Sequence, residues 1–182
     1  MRNPSSKEEY KKYAKIPIIP LVVTTNEESL QDSTPIIEAI EQHYTERSIH
    51  PEDPVCQFIS TLIEEIGDEW GNKWMFHLRW ARDEDCKSVG GRIAALNAPG
   101  ADEATRITIR DQIISHMKSR VFFVGSNEQT APQIEHSFED GIKLLDNHFH
   151  NRAYLFGDKP CFAEFGLWGN SIVHGRTQPA AL

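Results

Sequence analysis

Apolar positions change their rhythm along this chain, and the change divides it. Between residues 16 and 37 (IPIIPLVVTTNEESLQDSTPII) an apolar run broken by Pro17 and Pro20 gives way to the polar stretch 24–28, and then to Ser29, Leu30 and Gln31. Apolar runs bounded by turn residues read as extended segments. The pattern therefore predicts a strand over 21–25, a tight turn, and a second strand over 29–31. A helix follows from Thr34 to about Glu46, with Ser33 or Thr34 placed to cap and Pro35 in the first turn. Ile36, Ile37, Ile40 and Tyr44 recur at helical spacing and predict one face laid on the small sheet. Ahead of this unit, residues 5–15 are polar and suit a short helical lead.

Residues 47–53 (RSIHPED) carry no periodicity, and the boundary between an N-terminal part (1–48) and a C-terminal part (54–182) is expected there. Asp53-Pro54 opens the next helix as cap and first position. Val55, Phe58, Ile59, Leu62, Ile63, Ile66, Trp70 and Trp74 then predict a helix reaching about Arg82. Gly67 and Gly71 inside it each cost up to about 1 kcal/mol relative to Ala, which points to a bend or to the close approach of another helix. Further helical segments are predicted over 86–96, 102–123 and 161–172, and one that begins after the cap-like Thr130-Ala131-Pro132 and carries Ile134, Phe138, Ile142, Leu145 and Phe149. The fold class expected is α+β, mostly α: a β-hairpin with one helix, then an all-α bundle.

Composition narrows the functions. Among 182 residues, Asp and Glu outnumber Lys and Arg by 27 to 19, a formal charge of −8, and no basic run offsets it. Nucleic acid is therefore not an expected partner. No apolar stretch reaches the roughly 20 residues of a membrane span, and the N-terminus has no signal-peptide core, so a cytoplasmic location is expected. The 3 cysteines, Cys56, Cys86 and Cys161, are far apart and form no CxxC, which argues against a disulfide framework or a metal site. His148 and His150 diverge on a helix and do not suit a metal either.

Two stretches resemble a known family. Ile19-Pro20 before a strand, a turn, a second strand and Asp32-Ser33 opening a helix resemble the later part of the thioredoxin-like domain of glutathione transferases. The segment GDKPCFAEFGLWG (157–169) is similar to that family's N-cap segment inside the helical domain. Ile49-His50-Pro51 and DEWGNKWMFHLRW (68–80) are similar to a bacterial-type branch. The resemblance implies a partial thioredoxin-like domain followed by a helical bundle of the glutathione transferase C-terminal type. It also implies a cis bond at Pro20 (Pro17 is the rival), a glutathione site at Ile19, Pro20, Asp32 and Ser33, glutathione as co-substrate with no metal, a small electrophile as second substrate, and a homodimer. Asp32 and Ser33 retain the simpler reading of helix caps.

The resemblance is incomplete at the start. A strand-helix-strand unit needs about 30 residues, and residues 1–15 cannot hold the one that carries the family's thiol activator. The catalytic residue is therefore unassigned, and a fragment or truncated paralogue is expected. The rival function is a non-catalytic module that keeps the fold for binding. Tyr10, Tyr13, Ser5 and Ser6 offer hydroxyls, with no feature that places them beside a thiol. Trp70, Trp74, His77 and Arg79, with Trp80, cluster on the long helix, which in the family borders the electrophile pocket. They either line such a pocket, Arg79 holding an anion, or pack helix to helix with Arg79 paired to an acid. Cys161 stands where the family's cap has a hydroxyl, and Glu164 where it has Asp. A thiol accepts hydrogen bonds weakly, so the cap is expected to be soft, and a cysteine at a helix start is a candidate for a lowered pKa.

Overall fold

The computed structural model describes residues 4–175. The chain divides into two compact units, Met1–Ile49 and His50–Leu182. The described part is mostly helical, with one small antiparallel sheet.

In the first unit, α1 (Pro4–Tyr13) leads through a loop to β1 (Leu21–Val23). β1 pairs antiparallel with β2 (Ser29–Gln31) in the register Leu21 to Gln31, Val22 to Leu30 and Val23 to Ser29. The polar stretch between them closes through the Thr24 N–H on the Glu28 carbonyl at 2.9 Å, with Glu27 in a left-handed conformation at φ 62°. Helix α2 (Ser33–His43) follows at once and packs on β2. Its predicted apolar stripe is only partly used. Ile36 is buried, whereas Ile40 and Tyr44 are 49% and 72% exposed. Two strands of 3 residues each offer too little surface to cover more than the first turn of the helix.

In the second unit, the long helix expected after Asp53 runs without a gap as α3 (Pro54–Glu65), a π-helical turn (Ile66–Trp70) and α4 (Gly71–Trp80). Asp53 caps α3 as predicted, accepting from the N–H groups of Val55 and Cys56. The remaining helices are α5 (Asp83–Asn97), α6 (Glu103–Lys118), α7 (Ala131–Phe149) and α8 (Phe162–Gly175). Of the two reasons expected for a glycine in the long helix, the close approach of another helix applies at Gly67. It sits in the π turn, and a Cβ there would lie 2.7 Å from the Gly166 carbonyl carbon on α8. Reciprocally, a Cβ on Gly166 would lie 2.8 Å from Glu64 Cα. The two helices cross backbone to backbone, and only glycine fits at both positions.

The core of this unit lies in two clusters. Trp80, Cys86 and Val89 gather Phe76, Ile93, Ile113, Ile114 and Met117 between α4, α5 and α6. Leu155, Cys161 and Ala163 gather Ile63, Leu145 and Leu167 around the start of α8. Helix α7 is not capped by the Thr130 side chain as expected. Asn127 Oδ1 instead accepts from the N–H groups of Gln129 and Thr130, and the Thr130 hydroxyl donates to the Gly125 carbonyl at 2.6 Å.

Candidate functional site

The Ile19–Pro20 bond is cis, and Pro17 is not. From Pro20 the chain runs straight into β1, and its carbonyl accepts from the Asp32 N–H at 3.2 Å. The proline loop and the start of α2 therefore stand side by side. Gln31, the last residue of β2, fastens the loop from below: its Oε1 accepts from the Lys15 and Ile16 N–H groups at 2.6 and 3.3 Å, and its Nε2 donates to the Ile16 and Ile18 carbonyls at 2.9 and 3.1 Å. Tyr10 donates its hydroxyl to the same two carbonyls. The Tyr13 hydroxyl contacts Lys12 and Glu27. Both tyrosine hydroxyls are thus engaged in holding local structure. Ser5 and Ser6 lie on α1.

Asp32 occupies the N-cap position of α2 with φ 78° and ψ 144°, and its side chain accepts from no helix N–H. This separates the two readings of Asp32. A capping aspartate has its carboxylate turned onto the N–H groups of the first turn, as Asp53 and Asp102 do here. The Asp32 carboxylate instead has the Ser33 hydroxyl 3.5 Å away. Ile19, Asp32 and Ser33 are all exposed, Ile19 by 70%. What results is an exposed carboxylate and hydroxyl at the positive end of a helix, next to the backbone of a proline loop. Such a surface can receive an ammonium at the carboxylate and an anion at the hydroxyl and the first N–H groups.

The second unit holds a cavity of about 860 Å³ between α4, α5 and α7, walled by Ile63, Trp74, Leu78, Phe138, Ile142 and Leu145. Of the four helix residues expected together at a pocket, Trp74 and Arg79 line this cavity and Trp70 and His77 do not. Trp70 lies 57% exposed with the Lys73 ammonium over its ring at 4.0 Å. Trp74 donates its indole N–H to the Ser137 hydroxyl at 2.8 Å and meets Phe138 edge to face.

His77 is 1% exposed. Its Nδ1 hydrogen-bonds Ser126 Oγ at 2.7 Å and its Nε2 contacts Glu135 Oε1 at 3.4 Å, which ties α4 to the loop before α7 and to α7 itself. Ser126 is buried too. A serine, a histidine and a glutamate in contact invite a nucleophilic reading, but the Ser126 hydroxyl is buried, bonded to His77 and not part of the wall of the cavity described above. Neither Ser126 nor Glu135 stood out in the sequence, since their meeting with His77 depends on the tertiary fold alone.

At the start of α8, Glu164 keeps the carboxylate half of a capping box: its Oε2 accepts from the Cys161 N–H at 2.8 Å and its Oε1 from the Leu155 N–H. The hydroxyl half comes from another helix. Ser60 of α3, fully buried, accepts from the Ala163 N–H at 3.1 Å and lies 3.4 Å from Cys161 Sγ. The soft cap expected of a cysteine is thereby reinforced from outside. Burial pushes the Cys161 thiol pKa up, and the hydrogen bond with Glu164 adds to this. Cys161 is the opposite of an activated thiol. His148 hydrogen-bonds the Leu155 carbonyl at 3.0 Å, and no cluster suited to a metal occurs among the described residues.

Among the described residues no helix is long and apolar enough to cross a membrane. Compared with protein-family models, curated proteins and solved structures, the chain matches none of them.

Proposed function

We propose that this protein is a glutathione transferase-like protein that binds glutathione at Ile19, Pro20, Asp32 and Ser33. The observation that supports the reading is the hydrogen bond from the Asp32 N–H to the Pro20 carbonyl, with the Asp32 side chain left out of the helix cap. It sets the backbone at Ile19 and Pro20 beside an exposed carboxylate and hydroxyl. The peptide backbone of the cysteinyl part would pair with the proline loop. The γ-glutamyl ammonium would meet Asp32, and its carboxylate would meet Ser33 and the first N–H groups of α2. Glutathione is then co-substrate, no metal takes part, and a small electrophile in the cytoplasm is the second substrate.

The second reading is a binding module of the same fold without transfer chemistry. It is favoured by the engagement of the Tyr10 and Tyr13 hydroxyls, which leaves neither to donate to a thiol. Retention on immobilised glutathione tests the site common to both. The expected result is retention by the unmodified protein and its loss in Asp32→Ala and Ser33→Ala. Retention unchanged by both substitutions overturns the assignment. Turnover of electrophiles or hydroperoxides with glutathione then separates the two readings.

A further inference from the structure

The cavity of the second unit is chemically lopsided. Its walls are apolar, and five charged residues reach it: Arg79, Arg82, Asp85, Glu135 and Glu139. Four of them are matched. Arg82 pairs with Asp85 at 3.0 Å, Glu135 contacts His77 at 3.4 Å, and Glu139 lies 3.9 Å from the Lys143 ammonium. Arg79 is the exception. Its Nε is buried without a hydrogen-bond partner, and the guanidinium forms no ion pair among the described residues. A paired Arg79, the alternative left open by the sequence, is not what the chain builds. Burial lowers its pKa, and the nearby Arg92 guanidinium pushes in the same direction. A buried guanidinium N–H left unpaired is costly, and a planar carboxylate is its natural complement.

We infer that this cavity is a binding site for an amphipathic organic carboxylate, its head on the Arg79 guanidinium and its apolar body between Trp74, Leu78, Phe138 and Ile142. The volume of about 860 Å³ lies in the range of small-molecule pockets, and the wall is of the usual kind, mostly apolar with a few charged groups. The carboxylates at the rim are already matched, so they leave the site selective for an anion. The site lies wholly within residues 63–167. It is distinct from the glutathione site proposed above and does not depend on it.

Calorimetry with three probes of equal chain length, without glutathione, tests the inference: decanoate, decan-1-ol and decylammonium, each below its aggregation threshold. The expected order is decanoate first, by about tenfold over the alcohol, since one charge-assisted pair with a desolvated partner is worth about that much. Tryptophan fluorescence should respond to decanoate, since Trp74 lines the cavity. In Arg79→Gln the preference for decanoate over decanol should disappear, and Arg79→Lys should restore part of it. Equal affinity for the three probes, a preference for decylammonium, or no binding of any probe to the unmodified protein overturns the inference. That ranking needs no variant, so a failure of Arg79→Gln to fold does not shield it.

Discussion

Ser60 on α3 accepts the Ala163 N–H of α8 at 3.1 Å, a helix cap delivered from another helix. The donor sits in the first turn of α8, where backbone N–H groups have no partner inside the helix. Local sequence offers Cys161 at that place, and a thiol is a poor acceptor. Ser60 makes good the deficit and fixes where α8 enters the bundle. Ser60→Ala should therefore cost about 1–2 kcal/mol, the range for losing a cap and leaving a buried N–H unsatisfied. Cys161→Ser in the Ser60→Ala background should recover part of that loss, because a hydroxyl then returns from within the helix. Urea unfolding of the four proteins in the cycle measures both effects. A Ser60→Ala protein as stable as the parent would remove the cap from any stabilising role.

The crossing of α8 over the end of α3 and the π-helical turn depends on glycine at Gly67 and Gly166. A methyl group at Gly67 meets the Gly166 carbonyl carbon and the Leu167 nitrogen at 2.7 Å, and both are backbone atoms that cannot rotate away. Gly67→Ala and Gly166→Ala should each destabilise by about 1–3 kcal/mol, the usual cost of overpacking, despite alanine's better helix propensity. Gly91 on α5 is the control. Nothing lies within 4 Å of a Cβ built there, so Gly91→Ala should stabilise by a few tenths to about 1 kcal/mol. Thermal midpoints that moved in the same direction for all three would separate the effect from the crossing.

Gln31 makes four hydrogen bonds to the loop that carries the cis proline, two accepted and two donated. Gln31→Leu keeps the bulk and removes all of them. Hydrogen exchange at the Lys15 and Ile16 amides should rise by tenfold or more, since each lost bond is worth about 1 kcal/mol. If the glutathione assignment holds, retention should weaken in the same variant although Gln31 is not itself assigned to the ligand. Unchanged exchange at both amides would show the clamp to be dispensable.

The local parts of this structure were legible in the sequence. The hairpin and α2 follow from a run of apolar residues, a polar turn and an Asp-Ser-Thr-Pro start. Asp53 and Asp102 both cap the helices that follow them, because a carboxylate reaches an N–H two or three residues on without help from the rest of the chain. What was not legible depends on pairs far apart. Ser60 and Ala163 are 103 positions apart, and His77 and Ser126 are 49 apart. No periodicity marks such partners. At the candidate site, the residue types at Asp32 and Ser33 could be read, but not that the carboxylate turns away from the helix, since that follows from the positive φ of Asp32. That Trp70, Trp74, His77 and Arg79 belong to one long helix was readable. Trp74 lines the cavity beside α7, whereas His77 is buried against Ser126 and Glu135, and neither placement could be read from the helix alone.

The two aspartate caps set a direction for the response to acid. Backbone N–H groups donated to Asp53 and Asp102 hold both carboxyls below the ordinary carboxylate range, with Cys56 the main donor for Asp53 and Thr105 for Asp102. Asp83 is lowered as well, by the Lys118 ammonium 2.6 Å away. A group whose folded pKa lies below its unfolded value binds protons less readily when folded. Its contribution is therefore complete above the unfolded value, near pH 4. It shrinks as the pH falls toward the folded value, and no further loss occurs below that. Stability should thus be flat from these groups between about pH 5 and 7 and decline below about pH 4. Asp102→Asn retains a capping acceptor but no titrating group, so its urea midpoint should fall less steeply with acid than that of the parent. Equal slopes for the two proteins would mean that Asp102 has the same pKa in the folded and unfolded chains.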